Sequence, residues 1–235
     1  MSDFETTVSP TAIDGYRYYC DSDSMTLDDF MLRLLRLEPP NELMTIGIDF
    51  HRMCEDAAQK YLSKGRFTPD ESKRKYSFEW KCSAATIMPT VTEVPVRRTE
   101  KINDWKVTVS GRLDAVSGST GIDYKTAWKP IDAESYVDAF QWRMYLYLMP
   151  ELRDFRYDVF RVKNGRLLRE IEVIEHRHFT MSRYPALEQE VEAAIIEYIE
   201  FLRMLERKRY IRITPYGVEQ WEYKPPRKDD EAGKD

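Results

Sequence analysis

The sequence predicts one mixed α/β (α+β) domain, and three observations predict it. Helical and strand signals come in blocks along the chain: helix, strands, helix, strands, helix. Two of the strand blocks carry turn residues of the hairpin type, "SGST" at 117–120 and "KNGR" at 163–166. The 235 residues, 42% hydrophobic and 33% charged, suffice for one large core.

The first element, "MTLDDFMLRLLRLE" (25–38), has the apolar spacing of a short amphipathic helix, stopped by Pro39–Pro40. "NELMTIGIDFHRMCEDAAQKYLSKG" (41–65) reads as a long helix, with Asn41 as N-cap and Gly65 at its end. Alternating residues then mark strands at "YSFEW" (76–80), "TVTEVPVRRTE" (90–100), "WKVTVSGRLDAVSG" (105–118) and "GIDYKTAW" (121–128). Pro95 assigns its strand to an edge or a bulge. A helix follows from about Ser135 to Met149. "DFRYDVFRVKNG" and "RLLREIEVIEHRHFT" form a second hairpin around Asn164–Gly165, and a last helix runs from about Met181 to Lys208. The single domain is expected over 1–223: a helical part at 1–65, a core at 66–180 and the C-terminal helix at 181–208. The tail 224–235, "KPPRKDDEAGKD", has the composition of disordered chain.

The net charge of −5 argues against nucleic-acid binding by bulk charge, but not against a local basic groove built from some of the 36 Lys and Arg. Cys20, Cys54 and Cys82 are too few and too widely spaced for a disulfide framework or a structural zinc site, which suits a reducing compartment. "MSDFETTVSP" is not a secretory signal, and "FMLRLLRL" (30–37) is too short to span a bilayer. A cytoplasmic protein with no membrane partner is therefore expected.

The densest chemistry lies in "GRLDAVSGSTGIDYK" (111–125). If Gly118–Ser119 is a two-residue type II′ loop, Ser117 pairs with Thr120, and the same register sets Asp114 opposite Asp123. Directly opposed residues share a face, with Cβ atoms roughly 4.5–5.5 Å apart. Lys125, two residues beyond Asp123, points to that face too. Two such carboxylates repel, so something positive must compensate. One candidate is Lys125 alone, in a structural ion triad; the other is a divalent cation held between the acids.

Two helices add further polar groups. Gly47, His51 and Glu55 succeed one another by single turns on one face of the long helix. His51 either pairs with Glu55 on a polar face or serves as a metal ligand facing the hairpin acids. In "YVDAFQWRMYLYLM" (136–149), Gln141 and Tyr145 are one turn apart. They either belong to an aromatic-rich packing helix or contact phosphate and base.

Taken in order, Gly47-x-x-x-His51, Gly111-Arg-Leu-Asp114, Ile122-Asp123-Tyr124-Lys125 and Gln141-x-x-x-Tyr145 resemble the RecB-type branch of the PD-(D/E)XK nucleases, which includes CRISPR-associated RecB-like enzymes. Each motif is common alone; the ordered set, over 47–145, is not. "SPTAIDGYRYYC" (9–20) is similar to the opening of that branch, though less specifically.

The resemblance implies a restriction-endonuclease-like core, a mixed β-sheet flanked by helices. It implies that His51, Asp114, Asp123 and the Tyr124 backbone carbonyl coordinate one or two Mg2+ or Mn2+ ions. Lys125 would position or deprotonate the attacking water, and Gln141 and Tyr145 would organise the site and contact DNA. An imidazole ligand predicts activity with manganese at least equal to that with magnesium. No iron–sulfur cluster is expected, because after Cys82 no cysteine remains to complete one.

Candidate phosphate contacts are Arg112, Lys129, Lys106, "VRRTEK" (96–101) and "RMLERKRYIR" (203–212); candidate stacking residues are Tyr16, Tyr18, Tyr19 and Trp128. For each of these the alternative is a solvated charge or a core ring. The reading favoured is a metal-dependent deoxyribonuclease, an exonuclease processing DNA ends in recombination or repair, with a phage or mobile-element origin by analogy. Alternatives are a structure-selective endonuclease, a non-catalytic DNA-binding or assembly protein of the same fold, and an interaction module whose triad is only structural. A homo-oligomer is compatible with the sequence.

Overall fold

A computed structural model describes residues 4–87 and 89–225. The chain forms a mixed α/β fold with a seven-stranded mixed sheet, its strands paired in the order β1 (Phe4–Val8), β4 (Trp105–Ser117), β5 (Thr120–Ala127), β6 (Asp154–Asn164), β7 (Glu170–Ser182), β2 (Ser77–Trp80), with β3 (Val91–Ile102) also pairing β4. This is the mixed sheet flanked by helices that the resemblance implies. Two compact units are present, and strands β3 (Val91–Ile102) and β4 (Trp105–Ser117) each contribute residues to both.

One unit is built from the chain up to Pro39, Arg97–Ser110 and the chain from Ala186 onward. Strand β1 (Phe4–Val8) lies parallel to the first half of β4, Phe4 opposite Trp105 and Val8 opposite Val109. Helix α1 (Pro10–Asp21) starts at Ser9, whose hydroxyl accepts the Ala12 N–H, with Pro10 at the first helical position, where no N–H is needed. Helix α2 (Leu27–Leu34) begins with a reciprocal capping box between Thr26 and Asp29. It ends before the expected stop at Pro39–Pro40: Arg36 turns left-handed (φ 52°) and the Leu37 N–H reaches back to the Leu32 carbonyl. Helix α6 (Leu187–Arg207) and a short hairpin, β8 (Ile211–Thr214) and β9 (Gly217–Gln220), complete the unit.

The other unit, Pro40–Val96 and Gly111–Pro185, holds every strongly chemical motif. Helix α3 (Glu42–Leu62) has the predicted Asn41 cap, the side chain accepting the Met44 N–H at 2.9 Å. It closes on Gly65, whose φ of +80° favours glycine. β2 (Ser77–Trp80) and the first half of β3 follow, and β3 is irregular at Glu93 (φ 52°), two residues before Pro95. Hairpin β4–β5 (β5, Thr120–Ala127) turns at Gly118 (φ +57°), with Ser117, Val116 and Ala115 opposite Thr120, Gly121 and Ile122. That is the predicted register. β5 then runs parallel to β6 (Asp154–Asn164), which pairs antiparallel with β7 (Glu170–Ser182). Ile122 and Tyr124 turn one face of β5 to a core that includes Ile46 and Phe50 of α3.

Two helix expectations need correction. The single helix 135–149 is two, α4 (Ala133–Asp138) and α5 (Gln141–Leu148), because Ala139 leaves the helical conformation at ψ 134°. The hairpin expected around Asn164–Gly165 forms between β6 and β7, closed by a five-residue loop, 165–169. The left-handed residue is Arg169 (φ 65°), and the Glu170 carboxylate organises the loop by accepting the Arg166 and Leu167 N–H groups. The C-terminal helix starts at Leu187, not Met181, because β7 continues to Ser182. In the expected tail, Lys224 and Pro225 have no regular structure, and 226–235 lie outside the described residues.

Candidate active site

The paired ladder of the β4–β5 hairpin ends at Ala115–Ile122, one residue before the two aspartates. There the Asp114 carboxylate takes over a backbone role: Oδ2 accepts the Tyr124 N–H at 2.8 Å. The same oxygen lies 3.3 Å from His51 Nδ1 on α3. His51 thus meets Asp114 rather than Glu55. Burial opposes charging of the imidazole, but the Asp114 carboxylate, backed by Asp123, outweighs it and raises the His51 pKa.

Asp123 and Lys125 occupy the face opposite Tyr124, as the strand period requires. Lys125 Nζ is 2.7 Å from Asp123 Oδ2. Gln141, at the first position of α5, approaches the other oxygen, Nε2 to Oδ1 at 3.4 Å. Asp123 is only 3% exposed, and Oδ2 has the lysine charge close by but no aligned hydrogen-bond donor. Burial pushes the Asp123 carboxyl up to about 6; Lys125 pulls it down and the Asp114 charge adds to the rise. Burial works against the Lys125 ammonium, yet the two aspartates hold its pKa above the ordinary value.

Tyr145 stands one turn after Gln141. Its hydroxyl donates to the Arg112 carbonyl at 2.6 Å and its ring stacks on Phe155, 8° from coplanar. Burial raises the phenol to about 12, so it stays a donor at neutral pH. Gly47 is where α3 nears the sheet: a Cβ there would lie 3.6 Å from Thr126 Oγ1. Beside the cluster is a cavity of about 840 Å³, lined by His51, Glu55, Glu93, Arg112, Lys125 and Trp128 among others.

His51, Asp114, Asp123, Tyr124, Lys125, Gln141, Tyr145 and Arg112 are therefore brought together, through the contacts given above. Lys129 is not: it is exposed beyond the end of β5 and does not line the cavity. Nor do Tyr16 and Tyr19 form an open stacking surface, since they pack with Phe30 and Phe201, and Lys106 pairs with Glu5 at 2.8 Å.

Among the described residues no three His, Cys, Asp or Glu side chains are grouped as ready metal ligands. The donor set nonetheless suits a hard or borderline divalent cation: one imidazole and two carboxylates, one bearing a buried oxygen without an aligned donor.

Sequence reasoning missed two features. Glu93 holds Arg112 in an ion pair at 3.1 Å from a left-handed backbone position, for which Pro95 was the available sign. A buried network also joins Arg156, Asp158 and His176: Arg156 Nη2 and His176 Nε2 lie 2.8 and 2.7 Å from Asp158 Oδ1. Its signal was Arg156 and Asp158, two apart within the otherwise aromatic and apolar stretch 155–160.

No family model matches this sequence, and no curated protein matches it. Among solved structures, the fold is similar to the crystal structure of SSO0001, at 15% identity and a TM-score of 0.48 over 88% of this chain and 79% of that one. It is also similar to LHK-Exo in complex with dAMP, at 15% identity and a TM-score of 0.41 over 86% of this chain and 92% of that one. Similarity this distant assigns no activity. No described helix is long and apolar enough to cross a membrane.

Proposed function

We propose that this protein is a divalent-metal-dependent deoxyribonuclease of the RecB-type PD-(D/E)XK branch, acting on DNA ends. The observation that carries the reading is the meeting of His51 with Asp114 at 3.3 Å and of Lys125 with Asp123 at 2.7 Å, where the hairpin ladder ends. His51, Asp114, Asp123 and the Tyr124 carbonyl would hold the ion, Mg2+ or Mn2+. When bound, it would supply Lewis-acid stabilisation of phosphodiester hydrolysis and lower the pKa of water.

The chain's own groups have separate tasks. Lys125, an ammonium held by Asp123, orients the attacking water and becomes a proton relay only when the charge around it changes. Gln141 fixes the Asp123 carboxylate, and Tyr145 fixes the Arg112 backbone. Arg112, 69% exposed at its side chain, is placed to meet phosphate once it leaves Glu93.

A second reading, a structural ion cluster in a non-catalytic protein, is favoured by Lys125, whose charge already faces the buried Asp123 carboxylate at 2.7 Å. Incubation with linear and covalently closed circular DNA, single- and double-stranded, in manganese separates the readings. An exonuclease degrades linear DNA and spares circles; an endonuclease cuts both. If neither is cut in manganese or magnesium, the nuclease reading fails.

A further inference from the structure

The β8–β9 hairpin half-buries Ile213 and Val218 and turns an unusual set outward. Ile211 is buried, whereas Arg212, Glu219 and Trp221 are exposed. The backbone pairing continues past the strands, with the Trp221 N–H donating to the Tyr210 carbonyl and the Glu222 N–H to the Arg209 carbonyl. Trp221, 42% exposed, thereby lies near two guanidinium groups: Arg212 is 5.2 Å and Arg209 5.8 Å from its ring centre. Tyr216 stands 93% exposed at the tip.

The hairpin is braced from behind. The Ile213 N–H donates to Glu206 of α6 at 2.8 Å, and the Thr7 hydroxyl donates to the Pro215 carbonyl at 2.7 Å. Between Arg207 and Tyr223 the chain carries four basic residues and two acidic ones, Glu219 and Glu222, against a net charge of −5 overall. An exposed indole flanked by guanidinium groups on a rigid ribbon offers stacking and phosphate contacts together, as a single strand requires.

We propose that the outer face of this hairpin, with Trp221, Arg209, Arg212 and Tyr216, docks single-stranded DNA. The surface rests on the nuclease reading for its biological sense but not for its chemistry. Strand bases stack on Trp221 and Tyr216 while the arginines meet successive phosphates, and Arg209 exchanges its 3.5 Å contact with Glu222 for phosphate.

The test is fluorescence anisotropy of fluorescein-labelled oligo(dT) with the full chain in EDTA, where hydrolysis is suppressed. Trp221→Ala, Tyr216→Ala and the double variant Arg209→Gln/Arg212→Gln are compared with wild type, and the two exposed-site variants serve if Trp221→Ala fails to fold. Trp221→Ala is expected to bind at least about fivefold more weakly. The double variant should flatten the salt dependence by about 1.4 units of slope, about 0.7 for each phosphate contact on a single strand. Equal binding by all folded variants, or equal affinity of the wild type for poly-glutamate, overturns the proposal. Weakened binding in a protein that cuts no DNA with any metal keeps this surface and removes the nuclease reading. Cleavage with unaltered binding does the reverse.

Discussion

Asp114 Oδ2 receives two groups at once, the Tyr124 N–H at 2.8 Å and His51 Nδ1 at 3.3 Å, so one carboxylate both terminates the β-ladder and anchors the helix that faces it. Asp114→Asn keeps an oxygen for the amide and should fold within about 1 kcal/mol of wild type. Asp114→Ala leaves the Tyr124 N–H unpaired and should cost roughly 1–3 kcal/mol. Urea unfolding measures the difference, and DNA cleavage should be lost in both.

Lys125→Met tests the neighbouring pair. It leaves Asp123, 3% exposed, without its counter-charge. The cost should stay below about 3 kcal/mol because the lysine side chain is a third exposed. An acid raised to about 6 binds more protons folded than unfolded, so its contribution falls as pH rises from about 4 through 6. Removing Lys125 pushes that acid higher still. The deficit against wild type should therefore grow between about pH 5 and pH 8 in urea melts.

Sequence reasoning resolved the β4–β5 hairpin because a two-residue glycine loop leaves one register, and the alternation carries Asp123 and Lys125 to one face. It could not foresee that the ladder stops before Asp114, where the carboxylate itself takes the Tyr124 N–H and meets His51 of α3. Gln141–Tyr145 was legible as a helical pair, while the break at Ala139 carries no proline or glycine to mark it. β1 and the β8–β9 hairpin were missed altogether. Each is a strand of four or five residues, too short for periodicity to distinguish from loop.

Metal binding should be pH-dependent in a defined direction. Asp123, raised to about 6, and His51, raised by Asp114, must both be deprotonated to act as ligands. Manganese affinity should rise with pH through and above 6, with protons released on binding. Calorimetry in two buffers of different ionisation enthalpy counts those protons. An affinity flat from pH 5 to pH 8 would remove both residues from the ligand set.

Tyr145→Phe removes one hydroxyl and keeps the ring stacked on Phe155. Losing the bond to the Arg112 carbonyl should cost about 1 kcal/mol. Cleavage should slow while manganese affinity stays within about twofold, since Tyr145 is a positioning residue rather than a ligand; stopped assays and calorimetry on one preparation compare the two.

The central claim is that His51, Asp114, Asp123 and Lys125 form a hydrolytic centre. The most direct measurement is cleavage of end-labelled linear DNA with enzyme in excess, in manganese and in EDTA, by wild type and by Asp114→Asn. Release of labelled product by the wild type in manganese alone, with none from the correctly folded variant, is the predicted result. Equal release from both proteins, or none from the wild type with either manganese or magnesium, would contradict it.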